Sequence, residues 1–180
     1  MRRRPGRVAL VPVLLALALT GCSGSGSGAG GPAPAATAPD DHDLQLLSTW
    51  HTSIKEWNAV TGPVVTAFRD PSVTAEQFVQ MAQPTVPKIQ MLARAIASGT
   101  LGLHDSGISS AMLQIGTGYQ AEAVDYGLLI EAASRGDQPS QTAILARLTA
   151  QGQENSQQAL ALVAYLRSKY GNEFADAFAG

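Results

Sequence analysis

Only one of the 180 residues is cysteine and only three are histidine, so the chain can build neither a disulfide framework nor a Cys/His zinc cluster without borrowing carboxylates. Charge is sparse at 14 % of residues. Twelve Lys and Arg face fourteen Asp and Glu, and four of the twelve lie in the first seven residues. The basic excess that neutralises phosphates is missing, which excludes nucleic acid as a partner class. Alternating Val/Ile/Thr runs, the mark of strands, are absent as well.

What is present begins at the N-terminus. Arg2, Arg3, Arg4 and Arg7 precede an apolar run of twelve residues, Val8 to Leu19, too short for a membrane-spanning helix but suited to the core of a secretory signal peptide. The next residues, Leu19-Thr20-Gly21-Cys22, resemble the lipobox of bacterial lipoproteins. That resemblance covers residues 1 to 22. It implies a diacylglycerol on the Cys22 thiol, cleavage between Gly21 and Cys22, and a home on the extracytoplasmic face of a membrane, in the cell envelope. Pro5-Gly6, where a twin-arginine signal carries an apolar residue, favours the general secretory route.

Removing residues 1 to 21 takes four cations and leaves eight against fourteen anions, a net charge of −6. A domain of that sign has no attraction to anionic lipid, so attachment falls to the acyl chains on Cys22. Residues 23 to 39 (SGSGSGAGGPAPAATAP) contain neither charge nor large apolar side chains and read as a tether with a reach of roughly 20–25 Å. Residues 40 to 180 are long enough to bury a core unaided.

In that region apolar residues recur at helical spacing. The pattern predicts an all-α domain, an irregular antiparallel four-helix bundle with proline kinks. A five- or six-helix orthogonal array follows instead if Pro63 and Pro84 end helices rather than bend them. The first helix is expected from Asp41 to Phe68, its stripe keeping phase across Gly62-Pro63. The second opens on a Thr74/Gln77 capping box, breaks at Pro84 and Pro87 with Thr85 as a restart, and closes at Gly99. The third starts after Asp105-Ser106 and ends at Gly136. Gly116, Gly118 and Gly127 weaken it, as close helix contacts or as a flexible middle. The fourth runs from Asp137-Gln138-Pro139 to Gly171, and Phe174 and Phe178 supply one further turn as a plug.

Chemistry is harder to find. None of the six Glu residues is followed by His three positions later, so the dimetal carboxylate bundle is rejected. His42 and His51 are nine apart and project some 180° from one another on a continuous helix. His104-Asp105-Ser106 is adjacent rather than convergent and reads as a helix cap. A nucleophile elbow and a phosphate-binding glycine loop are both missing. The expectation is a non-enzymatic binding or interaction module for an envelope protein or small ligand, with no catalytic residue, metal or cofactor assigned. The alternative is a haem or divalent metal held by His51 with carboxylates. One polar constellation remains. Glu122 falls on the third stripe between Tyr119 and Tyr126, facing the polar interruption at Gln151 and Asn155, and is either an interior pocket or a wet face.

Overall fold

The computed structural model describes residues 40–172 and residue 175. Residues 1–39, with the expected signal peptide, Cys22 and the expected tether, lie outside the described residues, as do Phe174 and Phe178, the expected plug. The described residues are helical, with no strand among them, and form an all-α four-helix bundle: α1 (Asp41–Arg69), a broken rod of α2 (Ala75–Ala82) and α3 (Val86–Ser98), α4 (Ser106–Ser134) and α5 (Gln138–Tyr170).

Four of the five α-helices, all but α3, start where a short polar side chain accepts a first-turn amide. Asp40 accepts from Asp43, Thr74 from Gln77 in a complete capping box, Asp105 from Gly107 and Ile108, and Asp137 from Ser140. α1 passes through Pro63 without a break. Proline costs that helix one amide, whose expected partner is the carbonyl of Ala59. Ala59 and Pro63 are both exposed, so the freed carbonyl is on the solvent side of the helix, while Trp57, Thr61 and Val64 stay buried on the opposite side. Pro84 acts differently. Gln83–Thr85 tighten into a 3₁₀ turn joining α2 to α3, and the Thr85 hydroxyl donates back to the carbonyl of Ala82 instead of capping α3. Thr85 marks the restart without serving as its side-chain cap. Gly136 and Gly171 hold positive φ at the ends of α4 and α5.

α4 is the centre, packed on α5, α3 and α2. The core is a continuous apolar set in which Leu47, Ile89, Ile96, Ile108, Met112 and Leu166 are fully enclosed. Trp50 closes one end by donating to the carbonyl of Ile96 at 3.1 Å. Two of the three α4 glycines are close contacts. A Cβ on Gly116 would stand 2.6 Å from Cα of Ala97 in α3, and one on Gly118 would collide with the Asn155 amide group of α5. Gly127 meets nothing within 4 Å. Gly127→Ala is therefore expected to stabilise the fold by roughly 0.5–1 kcal/mol, and Gly116→Ala to destabilise it by about 1–3 kcal/mol as α3 is pushed outward. Urea titrations of the two variants check this, and equal effects would mean that α3 is not seated on α4 as described.

Candidate functional site

Polar clamps follow one another along the seam between α4 and α5. Tyr165 reaches Asp105, Asn155 reaches Glu122, Arg147 reaches Asp125 and Gln141 reaches the carbonyl of Ala132. Partners descend in number on α5 as they rise on α4, the signature of antiparallel packing. Halfway along, the seam carries the carboxyl singled out in the sequence. Glu122 is 7 % exposed, and its Oε1 accepts from Asn155 Nδ2 at 2.5 Å; Asn155 is 6 % exposed. The absent side chain of Gly118 lets that amide lie directly against the α4 backbone.

Aromatic rings enclose the other side. Trp57 from α1 meets Tyr119 and Tyr126 edge-on, with ring centroids 5.0 and 5.9 Å apart. In this setting burial raises the Glu122 pKa to about 7, and the hydrogen bond from Asn155 only partly opposes it. Burial also raises Tyr119, with the nearby Glu122 charge adding to it, and pushes Tyr126 up to about 12. Gln151 and Gln158 lie on the Asn155 face of α5, four residues before it and three after, and the Oε1 of each is buried with no donor among the described residues. The pairing of Glu122 with Asn155 is thus direct, whereas Gln151 shares their face without bonding to them.

Ionising a group whose folded pKa exceeds its unfolded value of about 4.5 works against the fold. The contribution of Glu122 is full below pH 4.5 and is lost as pH rises through 7. Glu122→Gln removes that slope, so the variant should gain about 2–3 kcal/mol on the wild type between pH 4.5 and pH 8. Denaturation of both proteins at the two pH values measures it, and parallel pH profiles would contradict an interior Glu122.

The second polar centre was not visible in the sequence beyond its caps. Asp43 is buried, and its two oxygens accept from the backbone amides of His104 and Asp105, tying the first turn of α1 to the loop before α4. His104 Nδ1 lies 2.5 Å from Asp40 Oδ2, which raises the His104 pKa and lowers that of Asp40. Asp40, Asp43 and His104 bring three ligand-type atoms within 4.8 Å of one another. Their carboxylates already serve backbone amides at the start of α1 and beside the start of α4, where the positive ends of the helix dipoles oppose a cation. His51 is not in this group; it is half-buried on α1, where burial, and then Lys55, lower its pKa.

Asp105, read from the sequence as a cap, does more. It accepts from Gly107 and Ile108, from the Tyr165 hydroxyl at 2.9 Å, from Lys169 Nζ at 2.7 Å and from the Tyr170 hydroxyl. Tyr165, Lys169 and Tyr170 stand 60 to 65 residues away, so no local pattern announces them. Compared with known proteins, this chain matches no family model, no curated protein and no solved structure.

Proposed function

We propose that this chain is a lipoprotein held on the extracytoplasmic face of a membrane by acyl chains on Cys22, and that its helical domain is a non-enzymatic binding module for an envelope protein or a small ligand. The anchor is supported by the run of residues from Arg2 to Cys22. The module is supported above all by Glu122. A protonatable carboxyl sits in the buried seam of α4 and α5, held by an amide beside aromatic rings, and buried amide oxygens on the same face of α5 have no donor among the described residues. Such an interior spends stability on polar groups that a purely structural bundle would replace with apolar ones. None of the described helices is long and apolar enough to cross a membrane.

Cys22→Ser tests the anchor. The wild type should enter the detergent phase on phase separation, and the variant should stay aqueous or unprocessed because it lacks the sulfur that accepts the lipid. A processed variant that still partitions into detergent would refute the lipobox assignment. An absorbance spectrum and metal analysis of the purified protein separate the module from a haem or metal bundle at His51. A Soret band or a stoichiometric metal would favour the latter.

A further inference from the structure

A cleft of about 100 Å³ opens where the end of α1 meets the last third of α4 and the first half of α5. Its walls are the apolar side chains of Val65, Phe68, Leu129, Leu145 and Leu148, contributed by all three helices. Tyr126 lines it too, so one ring borders both this cleft and the neighbourhood of Glu122, whose charge it feels. Thr149 completes the lining, but its hydroxyl already donates to the carbonyl of Leu145.

Charge in the cleft is one-sided. Arg69, the last residue of α1, is its cation, and no carboxylate lines it. The neighbouring Asp70 is held by the amide and hydroxyl of Ser72, and Arg69 forms no ion pair with a described residue. A guanidinium at the rim of an apolar recess suits a planar anion on a hydrocarbon body, because its fork matches two carboxylate oxygens while the chain displaces water from the walls. The volume sets the body size. A closed cavity of about 150 Å³ takes benzene, so this smaller, open cleft suits about five carbons.

We infer that the cleft between α1, α4 and α5 binds a small monocarboxylic acid with a short hydrocarbon body, its carboxylate on Arg69 and its chain against Leu145 and Leu148. This inference rests on the reading of the domain as a binding module and is independent of the lipid anchor.

The experiment uses the full chain in lipid nanodiscs with labelled Leu and Val methyl groups, titrated by NMR with sodium pentanoate, pentylamine and pentanol. Pentanoate should shift the Leu145, Leu148 and Val65 methyl signals saturably, and pentylamine should bind at least tenfold more weakly. Arg69→Gln, an exposed substitution that leaves the core intact, should weaken pentanoate at least tenfold and leave pentanol unchanged. Leu148→Trp, which fills the recess, should abolish every shift while the remaining methyl spectrum stays folded. Equal binding of the amine, or indifference to Arg69→Gln, overturns the proposal. So does a titration in which pentanoate moves none of these signals, and that result leaves the anchor and the Glu122 seam untouched, since they stand on other residues.

Discussion

Asp105→Ala is expected to lower the stability of the domain by about 3–5 kcal/mol, a large fraction of the whole for a fold of this size. The side chain is almost fully enclosed and serves two helices at once. It caps α4 through Gly107 and Ile108, and it receives Tyr165, Lys169 and Tyr170 from the last two turns of α5. Alanine leaves the first-turn amides of α4 without that acceptor and unfastens the end of α5. Asp105→Asn keeps an acceptor but loses the charge, so its cost should be intermediate. Burial by itself would raise the Asp105 pKa; the donors, led by Lys169 and Tyr170, overcome it and hold the carboxyl well below the usual range. A depressed folded pKa contributes stability that is complete above the unfolded carboxyl pKa, near 4, and drains away as pH falls from there through the folded value. The wild type should therefore lose more stability than Asp105→Asn between pH 5 and pH 2. Urea denaturation at pH 7 and over the acid range measures both effects. A loss at pH 7 under 1 kcal/mol would show that the end of α5 is held by its apolar residues alone.

Trp57→Ala should cost about as much, 3–5 kcal/mol, for a different reason. Trp57 is 2 % exposed and stands edge-on to both Tyr119 and Tyr126, so truncation opens a void between α1 and α4 that neither ring can fill without leaving its partner. The two tyrosines that border the void both feel the charge of Glu122. Because burial is the main cause of that carboxyl's raised pKa, water admitted in place of the indole should move its titration from about 7 back toward 4.5. Trp57→Phe keeps a ring and should change both properties less. Thermal denaturation gives the first number, and carboxyl NMR shifts against pH give the second. A Glu122 titration unmoved by Trp57→Ala would mean that α1 does not seal this part of the seam.

The two substitutions probe different parts of what is legible in the sequence. Glu122 could be picked out because a helical period assigns each residue to a face, and Glu122 fell between two tyrosines on the face that also carries Ile115 and Leu129. Its partner was a candidate only in outline. Gln151 and Asn155 lie on one face of α5, and choosing between them needs the axial register of two helices, which Gly118 sets by admitting the Asn155 amide against the α4 backbone. Asp43 and Asp125 had no signal at all. Each is a charged residue buried within a helix, Asp43 through loop amides about 60 residues away and Asp125 through the guanidinium of Arg147.

Local chemistry was enough for much of the backbone. The starts of the helices at Asp40, Thr74, Asp105 and Asp137 and the ends at Gly136 and Gly171 depend on groups within four residues of one another. Such short-range groups meet whenever the helix forms, so the sequence by itself determined the all-α class and these capped boundaries, whereas the passage of α1 through Pro63 and the 3₁₀ turn at Pro84 were open in the sequence and decided in the structure. Which buried carboxyl meets which donor, whether the glycines are contacts or slack, and where α1, α4 and α5 leave a cleft were decided only in the tertiary structure. These features require the rotation and sliding of one helix against another, quantities fixed by the packing of whole surfaces, to which a single position such as Gly118 contributes one close contact.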